Sequence, residues 1–188
     1  MKVRLAWVLV LAGLTSLVRA GDSPRVQEAM RAMFMRIEAQ NDRWYKDGDF
    51  PRIVQALRFQ SDLYPESEDV LTNLGWMLSN IERDPETILV YAAYRRRFPN
   101  NPNSPYPEAN HYFLKKAYDR IPALLEPSLK LKEKPHPNSY RILAHAYDRL
   151  GLLADSERVW MEYLKLLPND APAKLNLEKV RRKRAGGK

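Results

Sequence analysis

The sequence contains no cysteine, only 7 glycines and only three histidines, and each shortage excludes a class of site. Without cysteine there is no disulfide framework, no thiol nucleophile and no thiolate metal ligand. The glycines are too dispersed to form a loop that cradles a phosphate. His111, His136 and His145 are not spaced along the chain as the ligands of a helical metal site would be. The sequence therefore indicates no metal site and no cofactor.

Catalytic signatures are also absent. The sequence has no G-x-S-x-G nucleophile turn, no H-E-x-x-H zinc motif and no phosphate-binding G-x-x-x-x-G-K-[ST] loop. We therefore expect no catalytic residues and a protein that is not an enzyme.

The one long apolar run lies at the N-terminus. Lys2 and Arg4 precede apolar residues 5–18, and Val18-Arg19-Ala20 places small side chains at the positions that signal peptidases prefer. The run is shorter than the roughly 18 residues that a membrane span requires. We therefore predict that residues 1–20 are a cleaved signal peptide and that the protein is exported, to the periplasm or beyond. Retention of the segment as an anchor is the alternative, because Arg19 is unusual at such a site.

Positive charge is concentrated at the two ends of the chain. The formal net charge is +8, but three cations lie within residues 1–20, and residues 174–188 carry seven cations and one anion. The intervening body is close to neutral. The tail from Lys179 to Lys188 suggests an alternative function, in which an accessory protein binds an anionic membrane surface or another polyanion. We expect no specific recognition of nucleic acid.

Apolar residues recur with helical spacing and with a long period. Tyr140, Leu143, Ala144 and Tyr147 follow the i, i+3, i+4, i+7 pattern of one helix face. Residues 71–78 repeat this pattern as Leu-x2-Leu-Gly-x2-Leu. The helix-closing prolines follow one period, since the interval from Pro99 to Pro168 is close to twice the interval from Pro65 to Pro99.

The period divides the chain into repeats of about 34 residues, the length of a helix-turn-helix unit. We expect an N-terminal helical extension over residues 21–33 and a C-terminal capping helix with a basic tail over residues 171–188. The repeats between them are predicted at residues 34–67, 68–101, 102–136 and 137–170.

The third repeat is degenerate. Residues 100–107 contain three prolines and read as a turn-rich insertion, after which His111 to Tyr118 recovers the spacing of a first helix. Pro122 fits a helix start, whereas Pro127 falls inside the second helix and predicts a kink or a break. At the other end of the chain, residues 181–188 are expected to form a flexible tail.

The spacing of residues 34–184 resembles the tetratricopeptide repeat, W-x2-L-G-x2-Y…A-x3-F…P. The resemblance implies an all-α, right-handed α-solenoid of three to four helix-turn-helix repeats with a capping helix. It also implies a non-enzymatic scaffold for protein–protein interactions. Residues 97–109 are similar to junctions in periplasmic tetratricopeptide proteins, which favours the bacterial cell envelope as the compartment. Neither the partner nor the oligomeric state is indicated.

The resemblance also implies a binding site, because tetratricopeptide arrays turn the first helix of each repeat toward a concave groove. Several cations at these positions suggest an acidic peptide or a C-terminal carboxylate as ligand. Asp119 and Asp148 lie beside them, so a solvated, salt-bridged face is the competing interpretation. The predicted groove residues are Trp76, Asn80, Tyr112, Lys116, Arg120, Arg141, His145 and Arg149.

The signal-peptide prediction is tested by the mass of the exported protein. We expect the mature chain to start at Gly21, because Val18 and Ala20 are the small residues that precede the cut. An intact mass that still includes residues 1–20 would contradict this prediction.

Overall fold

The computed structural model describes residues 23–186, and every regular element in that range is a helix. A short 3₁₀ helix, Tyr118–Arg120, lies between the fifth and sixth α-helices. No helix among the described residues is long and apolar enough to cross a membrane. The nine α-helices of this range are α1 Pro24–Asp47, α2 Phe50–Leu63, α3 Glu68–Asn80, α4 Asp84–Arg97, α5 Tyr106–Leu114, α6 Ile121–Leu129, α7 Pro137–Arg149, α8 Leu153–Leu166 and α9 Ala171–Arg184.

The chain divides into two compact units, residues 1–56 and residues 57–188. In the first unit, α1 begins as the sequence predicts, with Ser23 extended at the N-cap and Pro24 in the first turn. It ends at Gly48, whose φ of 73° permits the left-handed turn that closes the helix. The predicted signal peptide lies outside the described residues.

In the second unit the helices form consecutive antiparallel pairs. The pairs α3/α4 and α7/α8 pack along their lengths, and α9 packs against α8. The first helices of the pairs, α3, α5 and α7, also contact one another in turn. The largest side chains of the core, Trp160 and Tyr163 on α8, are 1% and 0% exposed.

A left-handed residue follows the first helix of every repeat. These residues are Gly48, Glu82, Lys116 and Gly151, with φ between 60° and 75° and almost constant spacing along the chain. In each turn the following amide donates to the carbonyl five residues earlier, at 2.8 to 2.9 Å, which satisfies a carbonyl that the helix end leaves free. The turn therefore recurs four times with almost the same period.

Small residues allow close approach within the pairs. A Cβ at Gly75 would overlap the ring of Tyr91, with the Cζ atom only 2.6 Å away, so any larger residue would force this ring to move. The corresponding positions of the third and fourth repeats hold Ala109 and Ala144, both 0% exposed. The Ser156 hydroxyl on α8 donates to the carbonyl of Ala144 at 2.8 Å, so α7 and α8 also approach closely there.

The third repeat differs from its prediction. Its first helix is α5, Tyr106–Leu114, and the predicted helix from His111 to Tyr118 is wrong, because the left-handed turn at Lys116 interrupts that segment. Two of the three prolines that resembled an insertion belong to the start of α5, where Pro105 is the N-cap and Pro107 lies in the first turn. Proline is tolerated there because the first amides of a helix have no intrahelical acceptor.

The second helix of this repeat, α6, is short. Pro122 lies in its first turn, as predicted, and Pro127 lies inside the helix. The helix continues for two residues beyond Pro127 and ends at Leu129, which makes it nine residues long, whereas α4 and α8 have 14.

The C-terminus is more ordered than the sequence predicted. Helix α9 extends to Arg184, so the expectation of a flexible tail from residue 181 is wrong for residues 181–184. Val180 is buried at 3% exposure, and Arg181 and Arg184 both donate to Glu157 of α8, at 2.8 and 2.9 Å. These contacts hold the last turn of α9 against the fourth repeat.

Burial of Trp160 predicts a large loss of stability on truncation. Trp160→Ala removes a side chain that is 1% exposed, so we expect a cost of about 3 to 5 kcal/mol in the free energy of unfolding. Trp76→Ala is the matched control, because Trp76 is 48% exposed and its removal should cost clearly less than that of Trp160. Chemical denaturation measures both, and equal costs would contradict the register of the fourth repeat.

Candidate protein-binding face

The first helices of the second unit present a continuous row of side chains that the helix pairs do not bury. We call this row the first-helix face. Its members occupy matching positions on each helix. These positions are counted back from the left-handed residues that follow α3, α5 and α7, and forward from the N-cap of α9. The members are Thr72, Trp76, Ser79, Asn80, Tyr106, Asn110, Phe113, Leu114, Arg141, His145, Asp148, Arg149, Leu175, Lys179, Arg182 and Lys183.

The half of the face nearer the N-terminus carries no charged side chain. Trp76 on α3 and Leu114 on α5 are 48% and 67% exposed, as are several other large apolar side chains of the described residues. Asn80 and Asn110 lie beside them at partly or fully exposed positions. Such a surface provides apolar contact area together with uncharged hydrogen-bonding groups.

Arg141, a predicted groove cation, holds α9 in place. One of its guanidinium nitrogens donates to Asp170 Oδ2 at 2.6 Å, and the group lies over the ring of Tyr163 at 5.4 Å from the centroid. Asp170 in turn caps α9 by accepting from the amide of Ala173 at 2.9 Å. Hydrogen bonds from the Tyr163 hydroxyl, the Ala173 amide and Arg141 lower the pKa of Asp170 to about 2, so the pair stays ionised at neutral pH.

His145 is an aromatic contact rather than a cation. Its ring lies 5.1 Å from Trp160 in an edge-to-face arrangement and 6.4 Å from Phe113. Burial lowers the pKa of His145, Asp148 partly opposes this, and the nearby Arg149, Lys183 and Lys179 add to the lowering. The ring is therefore neutral at neutral pH.

Three cations remain at the C-terminal end of the face. Arg149, Lys179 and Arg182 are exposed and make no ion pair within residues 23–186. Asp148, which was expected to neutralise the face, is occupied by Lys183 at 2.7 Å. The sequence-based prediction included only Arg149, and the N-cap at Asp170 is the signal that could have placed Lys179 and Arg182 in register.

The predicted groove residues of the third repeat do not lie on this face. Lys116 forms the left-handed turn after α5, and Arg120 lies in the 3₁₀ helix beside Asp119, at 3.5 Å. Tyr112 is partly buried against the hydrophobic core. The prediction placed the first helix of the third repeat too late in the chain, and the register assigns Tyr106, Asn110, Phe113 and Leu114 instead. The structure thus brings together Trp76, Asn80, Arg141, His145 and Arg149, but not the other three.

A cluster of polar residues lies where α3, α4 and α5 meet. The Ser79 hydroxyl is 3.2 Å from Nδ1 of His111, and Nε2 of that ring is 3.5 Å from Asp84 Oδ1. Lys115 Nζ contacts the other oxygen of Asp84 at 2.9 Å, and Arg95 Nε donates to Glu108 at 3.0 Å. We call these six residues the polar joint.

A serine, a histidine and an aspartate in line are the elements of a nucleophile and its base. Here the ring of His111 is 3% exposed and occupies a position that other repeats fill with core residues, Met77 and Ala146. This placement favours a role in joining two repeats.

Among the described residues, no group of three histidine, aspartate or glutamate side chains is placed to hold a metal ion.

The first unit contains an open cleft of about 480 Å³ along α1. Its lining is mainly apolar and consists of Ala29, Ala32, Met33, Arg36, Ile37, Gln40, Trp44 and Ala56.

Comparisons with known proteins identify the fold. A crystal structure of the protein MamA matches with a TM-score of 0.65 and 16% identity over 82% of each chain. MamA of Desulfovibrio magneticus RS-1 matches with a TM-score of 0.59 and 15% identity, over 80% of this chain and 85% of that one. A tetratricopeptide repeat protein of Parabacteroides merdae matches with a TM-score of 0.54 and 12% identity, over 92% of this chain and 71% of that one. The fold is of the tetratricopeptide type.

The predicted all-α repeat fold is thereby confirmed. No protein-family model and no curated protein matches the sequence. At such low sequence identity, the likeness to solved structures concerns the fold alone. The first-helix face is the candidate site because the helix pairs of the second unit leave this row of side chains unburied.

Proposed function

We propose that this tetratricopeptide-type protein is a non-enzymatic scaffold that binds a protein or peptide partner on its first-helix face. The observation that carries the proposal is the combination of exposed Trp76 and Leu114 with three exposed cations on one row of helices. Large exposed apolar side chains and arginines are typical of the centres of protein interfaces.

The face favours a partner that is apolar at one end and acidic at the other. Trp76 and Leu114 provide contact area for an apolar side chain. Arg149, Lys179 and Arg182 provide charge-assisted hydrogen bonds for carboxylates. Arg141 is already paired with Asp170, so less of its charge is available to a ligand.

We further propose that the protein works in the bacterial cell envelope. The support is the signal-peptide layout of residues 1–20 and the tetratricopeptide-type fold of the described part. Without cysteine, the fold does not depend on the redox state of its compartment.

The alternative function is binding of an anionic membrane surface through the basic C-terminal segment. Lys179 and Arg182 support it, because both are exposed cations on one helix. Other cations of this helix support it less, because Arg181, Lys183 and Arg184 are bound to Glu157 and Asp148.

Affinity capture from an envelope extract, followed by measurement of the captured partner's dissociation constant, tests the scaffold. We expect Trp76→Ala and Arg149→Glu each to weaken binding about tenfold or more, since each removes a contact that binding would desolvate. Arg96→Glu is the matched control, because Arg96 is an exposed cation on a second helix, α4. The control should bind like the unmodified protein.

The same variants separate the two functions. If Trp76→Ala and Arg149→Glu leave the affinity unchanged while the fold is intact, the first-helix face is not the binding site. If Lys179→Gln with Arg182→Gln abolishes binding to vesicles of anionic lipid, and these vesicles bind more tightly than any captured protein, the membrane function is favoured instead.

A further inference from the structure

The first helix of the third repeat carries buried ionisable side chains at positions where the first helices of the second and fourth repeats carry apolar ones. The register aligns Glu108 with Leu74 and Leu143, and it aligns His111 with Met77 and Ala146. The aligned residues of the second and fourth repeats are apolar and buried. The third repeat thus places two ionisable side chains, 5% and 3% exposed, at positions where the others bury hydrocarbon.

The two substituted residues have different partners. Glu108 is paired with Arg95 of α4 through a 3.0 Å hydrogen bond, so its charge is balanced. His111 contacts the Ser79 hydroxyl of α3 on one side and faces Asp84 of α4 on the other. His111 therefore connects three helices from two repeats.

The charge around His111 is balanced only while its ring is neutral. Lys115 already neutralises Asp84, because its Nζ atom lies 2.9 Å from Oδ2. A proton added to His111 would leave two cations against one carboxylate in a site where the ring is almost completely removed from water.

We propose that the polar joint is a pH-sensitive connection between the second and third repeats, which loosens when His111 becomes protonated. Because Ser79 and Asn80 both belong to the first-helix face, loosening changes the shape of that face between Trp76 and Leu114. The joint exists whether or not this face binds a partner, so its test is independent of the proposed function.

The charged groups that act on His111 come from two directions. Asp84 of α4 favours the charged ring, and Lys115, which follows α5, opposes it. Burial is the largest effect, and the net result is that the pKa of His111 lies below its ordinary value of 6.5. Helix α3 contributes the neutral Ser79 hydroxyl, and no charged group of the described 3₁₀ helix, α6 or α7 perturbs this pKa.

The direction of the pH effect follows from this shift. Above the ordinary pKa of 6.5, neither the native nor the unfolded chain protonates His111, and the joint contributes fully. As the pH falls below 6.5, the unfolded or opened chain binds a proton that the closed joint does not, so opening becomes more favourable. The effect is at most about tenfold in the opening equilibrium for each pH unit.

Two measurements between about pH 7.5 and pH 5 test the joint in the full mature chain. NMR titration of the His111 ring should give a midpoint below 6.5. Hydrogen exchange of the α3 amides, corrected for the intrinsic pH dependence, should show opening that increases as the pH falls. His111→Gln should abolish this increase. His136→Gln is the matched control, since His136 is exposed and lies in the link before α7, and it should retain the increase.

Lys115→Gln provides a second test that leaves the buried ring in place. Lys115 is 43% exposed, so its replacement should not disturb packing. It frees Asp84 to pair with a protonated His111, so the titration midpoint should rise and the acid-induced opening should diminish. The proposal is wrong if the midpoint is unaffected by Lys115→Gln, or if His111→Gln still opens at low pH as the unmodified protein does.

Discussion

The close approach of two helices at Gly75 is the constraint on which the repeat depends. The ring of Tyr91 fills the space that any side chain at residue 75 would need. Tyr91 is 6% exposed, and this burial raises its pKa to about 12. Alanine takes the place of glycine in the third and fourth repeats, where Leu125 and Trp160 correspond to Tyr91. This pairing fixes the register of each pair of helices, and the register fixes which side chains the first helices leave exposed.

The period is maintained by the backbone even where the side chains depart from the pattern. Glu82 and Lys116 adopt the left-handed conformation that Gly48 and Gly151 adopt without strain. This conformation costs a non-glycine residue about 1 to 2 kcal/mol, so the surrounding helices must impose it. The third repeat therefore keeps its length and its turn although its proline content, its short second helix and its buried ionisable residues all differ. Its buried ionisable residues, Glu108 and His111, both belong to the polar joint.

Much of this arrangement could be predicted from the sequence. The apolar stripe around Tyr140 and the regular spacing of the helix-closing prolines predict the fold and the ends of the second helices. The third repeat was misplaced because Pro105 and Pro107 resemble loop residues, whereas at a helix start proline loses no hydrogen bond. The spacing of residues along the sequence also does not show which charged side chains form ion pairs with one another. Arg141 reads as a free cation, and only the structure shows that it is bound to Asp170. Likewise, residues 181–184 read as a tail because the glutamate that binds two of them lies on α8, a different helix.

A double-mutant cycle on Gly75 and Tyr91 tests the central claim, that a small residue opposite a large one sets the repeat. Gly75→Ala should destabilise the protein by about 1 to 3 kcal/mol, because the added methyl group overlaps the ring. The same substitution should cost less in a Tyr91→Leu background, which reproduces the alanine and leucine of the third repeat. The helix propensity of alanine cancels in the cycle, since it is the same in both backgrounds. We predict a coupling of at least about 1 kcal/mol in the free energy of unfolding. Additivity of the two substitutions within about 0.5 kcal/mol would contradict the account.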